Sequence, residues 1–196
     1  MPPKFRPAAS VRRDLESIFP NLANAYWSIK SPSNDAYQCI AWAACDTTRR
    51  WWPTPPEYWP PNVPIEDTVE CFVKAFATLG YEPCDSAAFE FGYQKVAIYA
   101  DDDMTPTHMA RQHFFGRGWL SKIGLAEDIL HQELRDVEGD PDPTIFSYGR
   151  VVQILKRSWW TAVRFGLFQG CWAALNFWLY RRIHPSSWGM KDNLIK

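Results

Sequence analysis

Two short stretches of the chain hold residue types that could carry out nucleophilic chemistry. Cys39 begins a short apolar run that predicts a helix, and His108 lies in a strand-like run farther along the chain. Unpaired backbone N–H groups and the dipole at a helix N-terminus favour a thiolate. A histidine on an adjacent strand can then act as the base that activates the sulfur. The two residues therefore predict a catalytic Cys39–His108 dyad.

A third group has to orient the imidazole of such a dyad. Asp128 is the acid that we expect in this role, because it follows closely after the strand-like run. The apolar spacing of residues 125–135 predicts a helix, and an acid in its first turn would also balance the helix dipole. His131 would lie on the same face of that helix. Both roles of Asp128 stay open at this point.

Each of these residues also has a structural explanation. Free cysteines are among the most buried residue types, so Cys39 could simply pack in the core. Cysteine and histidine are also zinc ligands, but the spacing of Cys39, Cys84, His108 and His131 matches no zinc signature. We therefore expect neither a metal nor a cofactor.

The sequence around these residues resembles a known enzyme family. The strand Val96–Ala100, followed by a turn and by Thr107–Ala110, is similar to the strand–turn–strand of NlpC/P60-type papain-like hydrolases. Those proteins also place their catalytic cysteine at the head of an upstream helix. The resemblance covers residues 36–45 and 94–112. It implies a papain-like fold, a cysteine peptidase or amidase activity, and Cys39 as the nucleophile.

The chain departs from that family at one functional position. Such enzymes usually carry the catalytic histidine just before the first strand, where this chain has Gln94 and Lys95. His108 stands where the family often has its third polar residue, so either the base has moved to His108 or the chain is a diverged, inactive member. Residues 36–157 also resemble an uncharacterised microbial domain family of no known activity. The shared series is Cys-Ile-Ala-Trp-Ala, Trp-Trp-Pro, Thr-His-x-Ala-Arg-Gln, Ser-Lys-x-Gly and Asp-Ile-x-His.

The elements that position these residues are predicted to be helices followed by a meander of strands. Apolar spacing predicts helices over 14–24, interrupted by a proline, and over 64–79. Three short antiparallel strands follow between residues 89 and 123, and a last strand lies near 148–155. This order predicts an α+β class, with N-terminal helices packed on a small antiparallel sheet and a hydrophobic helix at the C-terminus.

Residues 51–64 hold six prolines and four aromatic residues. Such a run predicts an extended surface strap, since proline breaks helices and central strands. The strap could form one wall of a substrate groove, or it could be a rigid cover whose tryptophans plug the core. We favour the cover.

Composition and charge exclude some functional classes. The 196 residues are 46% hydrophobic and 22% charged, which is typical of a globular protein. Residues 158–196 carry five basic residues and one acid, a balance of +4, so the remainder carries about −5 of the net charge of −1. Such an acidic remainder argues against nucleic acid as a partner. Five cysteines without paired spacing predict free thiols and a cytoplasmic location, and the N-terminus lacks the apolar run of a signal peptide.

We expect three regions: a flexible basic arm over 1–13, a papain-like domain over 14–157, and a hydrophobic, basic helix and tail over 158–196. In Ser158–Tyr180, 23 residues long, Arg164 is the one charged side chain. This length can cross a bilayer. The polar residues of the run nevertheless fall on one arc of a helix; they are Thr161, Arg164, Gln169 and Asn176.

Four interpretations of this run stay open: a membrane-spanning helix, an interfacial helix, a helix docked on a partner protein, and a core helix. We favour a helix that lies on a membrane surface or on a partner.

Two functions follow from these observations. The first is a cysteine hydrolase that cleaves a peptide or amide bond, with Cys39 as nucleophile, His108 as base and Asp128 as the orienting acid. The alternative is a non-catalytic interaction domain that uses the aromatic and proline-rich strap and is tethered by its C-terminal helix. Residues 158–182 would then contact a membrane surface or a partner protein.

Overall fold

The computed structural model describes residues 6–139 and 148–164, which form an α+β arrangement around one seven-stranded sheet. The strands are β1 (Trp27–Ser31), β2 (Glu82–Cys84), β3 (Tyr93–Ala100), β4 (Pro106–Gln112), β5 (Trp119–Lys122), β6 (Asp128–His131) and β7 (Arg150–Ser158). The helices are α1 (Ala8–Ile18), α2 (Cys39–Ala43), α3 (Val69–Ala77) and α4 (Trp159–Arg164). The predicted class, α+β with an antiparallel sheet, is confirmed, and the sheet has more strands than we expected.

The strands lie in the order β1-β6-β5-β4-β3-β7-β2, and every pairing is antiparallel. Strands β3 to β6 are neighbours both in the chain and in the sheet, so short turns join them at alternating ends. The turn 113–118 lies at one end of the sheet, and the turns 101–105 and 123–127 lie at the other. We call the first of these two ends of the sheet the 113–118 end and the second the 101–105 end.

Each face of the sheet carries its own hydrophobic core, because successive side chains of a strand point to opposite faces. Helices α2 and α3 cover the first face, where Met109 packs with Ile40 and Phe72. Helix α1 covers the second face, where Ala110 packs with Leu15. Neighbouring residues of β4 therefore belong to different cores, and a side chain on one face cannot meet a partner on the other.

The predicted helix over 125–135 is wrong. Residues Asp128–His131 form strand β6, which pairs with β1 on one side and with β5 on the other, and a short 3-10 helix follows at Leu134–Val137. Pairing on both edges satisfies the backbone groups of β6, and this outweighs the helical spacing of its apolar residues. Asp128 and His131 therefore point to opposite faces of a sheet and do not share the face of a helix.

The N-terminal boundary also differs from the prediction. Helix α1 begins at Ala8, and Val11, 1% exposed, lies in the core of the second face, so residues 8–13 belong to the domain and not to a flexible arm. At the other end, α4 covers Trp159–Arg164, and the predicted hydrophobic helix beyond it lies outside the described residues. Within 6–139 and 148–164, no helix combines the length and the apolar character needed to cross a membrane.

The proline-rich strap covers the first face. Trp51 is 3% exposed and contacts Phe76, while Trp52 and Trp59 both pack against Phe72 of α3. Its indole rings thus complete the core, as the cover interpretation predicted.

Candidate functional site

Cys39 stands at the first position of α2, as the sequence predicted, but its side chain is buried and 4% exposed. Burial raises the pKa of the Cys39 thiol to about 11, although backbone N–H groups of Met109 and Ile40 favour the thiolate. Desolvation therefore outweighs the effect of the helix N-terminus. At neutral pH the sulfur is a protonated thiol, which is a poor nucleophile.

His108 lies on β4 with its imidazole fully buried. Its ring stacks on Tyr148 at a centroid distance of 4.0 Å and meets Tyr99 edge-on at 5.2 Å. Burial, helped by the nearby His131, holds the pKa of His108 well below its usual value. An imidazole in this setting is a weak base, because burial removes the water that would solvate its protonated form.

The structure does not bring Cys39 and His108 together. Cys39 belongs to the core of the first face, with Met109, whereas Tyr99 and Tyr148, which hold His108, belong to the core of the second face. His108 and Met109 are consecutive on β4, so their side chains point in opposite directions. The predicted dyad is therefore not formed in this geometry, and the reason is the period of two along the strand.

Asp128 lies on the same face as Cys39, but its partners are not histidines. Its Oδ2 accepts hydrogen bonds from Ser31 Oγ at 2.6 Å and from Tyr37 Oη at 3.0 Å, and its Oδ1 lies 3.9 Å from Lys122 Nζ. Burial raises the pKa of Asp128 and lowers the pKa of Lys122. Asp128 thus anchors a buried polar network that ties β1 to β5 and β6, and it does not orient the imidazole of His108.

His131 and Ser121 form the polar contacts of His108 on the second face. Ser121 Oγ lies 3.0 Å from Nε2 of His108 and 2.9 Å from Nε2 of His131. His131 Nδ1 lies 2.7 Å from the carbonyl oxygen of Glu133, which can only accept, so Nδ1 carries the proton. Burial lowers the pKa of His131 to about 4. Sequence reasoning missed Ser121, whose spacing from His131 becomes meaningful only once both lie on paired strands.

A second group that sequence reasoning missed surrounds Cys45. Arg111 Nη1 lies 2.8 Å from the Cys45 sulfur, and Arg157 Nη2 lies 3.6 Å from it. Both guanidinium groups are buried, and each covers an aromatic ring, Trp42 for Arg111 and Tyr81 for Arg157. Because Arg111 extends from β4 and Arg157 from β7, this cluster ties the loop after α2 to two strands of the sheet.

Among the described residues, neither clustered metal ligands nor a cavity marks another candidate catalytic site. No three histidine, cysteine, aspartate or glutamate side chains there converge in a way that could hold a metal ion. Cys39, Cys45, Cys71 and Cys84 are free thiols. A surface cavity of about 530 Å³ is lined mainly by residues 83–90, with Lys95 and Lys156, and none of the predicted catalytic residues lines it.

The surface carries an exposed cluster of aromatic side chains at the 113–118 end of the sheet. We call it the aromatic patch; it consists of Phe89, Phe91, Phe114, Phe115, Trp159 and Trp160. The ring of Trp159 stacks on Phe114 at 4.5 Å and meets Phe91 at 5.1 Å, and Phe115 lies 5.1 Å from Phe114. Trp160 is 84% exposed and Phe91 is 81% exposed. Contiguous exposed apolar surface of this kind is typical of an interaction site.

Comparison with known proteins identifies a family but no activity. A family model described as a domain of unknown function (DUF7689) matches residues 28–156. No curated protein and no solved structure matches the chain. The matched range includes β2 to β6 and most of β1 and β7, together with all the residues predicted to be catalytic.

Proposed function

The chain belongs to the DUF7689 family of unknown function, and from its geometry we propose that it acts as an interaction domain that attaches to a membrane surface through residues 158–182. Of the two functions considered from the sequence, this is the non-catalytic one. The strap is not the interaction surface in this proposal, because its tryptophans pack in the core, and the C-terminal segment expected to act as a tether makes the membrane contact.

The observation that carries the proposal is the position of Trp159 and Trp160. The domain's last strand ends at Ser158, and the two tryptophans that follow open α4, with Trp160 84% exposed. They also begin the 23-residue run in which Arg164 is the one charged residue, and the basic pair Arg181–Arg182 follows that run in the sequence. Tryptophans and basic residues beside an apolar run are typical of segments that lie at the lipid–water interface.

The cysteine hydrolase and the papain-like fold stay predictions. In their favour, α2 begins at Cys39 and packs on the sheet against β4 and β5, as the resemblance implies. Against catalysis, the thiol is buried and protonated at neutral pH, and the histidine expected to activate it lies on the other face. The buried positions of Cys39 and His108 therefore favour the interaction function.

Vesicle binding tests the proposal. The full chain is expected to sediment with vesicles of phosphatidylcholine and phosphatidylglycerol more than with vesicles of phosphatidylcholine alone, because the segment's basic residues attract anionic headgroups. Removal of residues 165–196 is expected to abolish most of this binding. If the full chain stays in the supernatant with both kinds of vesicle, the proposal is wrong.

A further inference from the structure

We infer that the aromatic patch is a second membrane contact, which seats the 113–118 end of the sheet on the lipid–water interface. This inference rests on the proposed function, since it names the surface of the domain that faces the membrane to which residues 158–182 attach. Attachment through residues 158–182 alone does not define which surface of the domain faces the bilayer. A second contact fixes one orientation.

The composition of the aromatic patch suits the interface. All six side chains are phenylalanine or tryptophan, which partition into the boundary between headgroups and acyl chains. Phe114 and Phe115 stand at the tip of the turn between β4 and β5, where they are 40% and 57% exposed. Phe89 packs against the same turn, close to Gly116. The patch thus combines the exposed tip of a turn with the aromatic rings of Phe91 and Trp159 that lie beside it.

Its continuity with the C-terminal segment indicates lipid as the occupant. Trp159 contacts both Phe91 and Phe114, so the patch and the start of the apolar run form one surface. The backbone N–H of Trp159 also donates to the carbonyl of Gly92 at 2.8 Å, which fixes the exit of the chain beside the patch. A segment that reaches the membrane from this point also brings the aromatic patch against the membrane surface.

The charges at the two ends of the sheet favour the same orientation. The 101–105 end exposes three consecutive aspartates, Asp101–Asp103, of which Asp102 forms an ion pair with Arg150. The 113–118 end exposes Arg117 beside Phe115 in the turn. Two acids near this end are ion-paired: Glu90 lies within 3.6 Å of Lys95 and Lys156, and Glu133 lies 2.7 Å from Arg135. An anionic membrane therefore repels one end of the domain and attracts the other.

The test compares substitutions at the two ends of the sheet in the full chain. One variant carries Phe91→Ser, Phe114→Ser and Phe115→Ser. The matched control carries Met104→Ser and Leu125→Ser, which remove exposed apolar side chains, 53% and 46% exposed, from the 101–105 end. Both should keep the fold, as circular dichroism checks. We expect the patch variant to lose about tenfold or more in its partition coefficient on anionic vesicles, and the control to bind like the unmodified chain.

Hydrogen exchange with and without vesicles gives the orientation directly. We expect slower exchange in residues 113–118 when vesicles are present, and unchanged exchange in residues 101–105. If the unmodified chain binds vesicles and the patch variant binds equally well, the inference is wrong and the proposed function stands. If the unmodified chain does not bind, the proposed function itself is wrong. A dimer in solution that only the patch variant dissociates, without slower exchange on vesicles, would assign the patch to a second copy of the chain and overturn the inference.

Discussion

His108 and His131 share one hydroxyl group, since the Nε2 atoms of both imidazoles lie within 3.0 Å of Ser121 Oγ. The Nδ1 proton of His131 goes to a carbonyl, so its Nε2 accepts from Ser121, and Ser121 in turn accepts from His108. This order of bonds requires the imidazole of His131 to be neutral, because its Nε2 acts as an acceptor. Protonation of His131 at Nε2 breaks this series of hydrogen bonds inside the core of the second face.

The first prediction concerns the stability of the fold at acidic pH. Above pH 6.5 His131 is neutral in both the folded and the unfolded chain, and below about pH 4 it is protonated in both. Between these values only the unfolded chain binds the proton, so the free energy of unfolding should fall by roughly 1.4 kcal/mol per pH unit for this one group. The pKa of His108 is lowered too, so it adds to the loss.

Urea unfolding between pH 7 and pH 4 measures this slope. His131→Gln removes the titrating group while keeping an acceptor for Ser121, so the variant should lose less stability over the same range. An equal slope in both proteins would show that His131 is already protonated in the folded chain.

The second prediction concerns thiol reactivity. Because burial raises the pKa of Cys39 to about 11, iodoacetamide near pH 7 should modify the half-buried Cys84 well before Cys39. Peptide mapping after brief labelling measures the order. Rapid modification of Cys39 would restore the hydrolase as the better function, and loss of a measured amidase activity in Cys39→Ser would then establish it.

The third prediction concerns the buried pair of Lys122 and Asp128. Lys122→Met leaves a buried carboxylate without its cation and should cost about 3 kcal/mol in the free energy of unfolding. Adding Asp128→Asn should recover part of that loss, because the amide keeps contacts to Ser31 and Tyr37 without a charge. Lys74→Met, which breaks an exposed ion pair on α3, serves as the control and should change stability little. Additive losses in the double variant would contradict the idea of a coupled pair.

The fourth prediction separates the two roles of tryptophan. Trp51 is buried and donates through Nε1 to Asp46, so Trp51→Ala should cost roughly 3–5 kcal/mol. Trp160 is 84% exposed, and Trp160→Ala should change the free energy of unfolding by less than about 0.5 kcal/mol. Thermal unfolding of both variants tests this contrast. A strap that served as a groove wall would tolerate the first substitution.

The fifth prediction concerns Gly118, the last residue of the turn before β5, which has φ 110°. A Cβ atom there would lie 2.2 Å from the carbonyl oxygen of His131, so Gly118→Ala should cost more than about 2 kcal/mol. Gly124 has φ 53° but open space around its missing Cβ, and Gly124→Ala should cost only the backbone strain of about 1 kcal/mol. Chemical denaturation of the two variants measures the difference, and equal losses would show that the close approach does not matter.

Local signals in the sequence determined several parts of this protein. The apolar spacing around Phe72 and Phe76 indicated α3, the β-branched run at 150–155 indicated β7, and the prolines of 51–64 predicted a cover over the core. The sequence also predicted that α2 begins at Cys39. These features depend on residues close together in the chain, and such interactions can be read without knowing the fold.

The tertiary structure alone decided which of those residues meet. Residues 128–131 became a strand because β1 and β5 pair with both of its edges, and those partners lie far away in the sequence. That pairing joined Asp128 to Lys122 and His131 to Ser121. The alternation of side chains along β4 placed His108 on the face opposite Cys39. The register of a strand decides to which face of the sheet each side chain points, and a shift of one residue reverses it. The sequence could therefore suggest a nucleophile and a base, but it could not show that they lie on the same face.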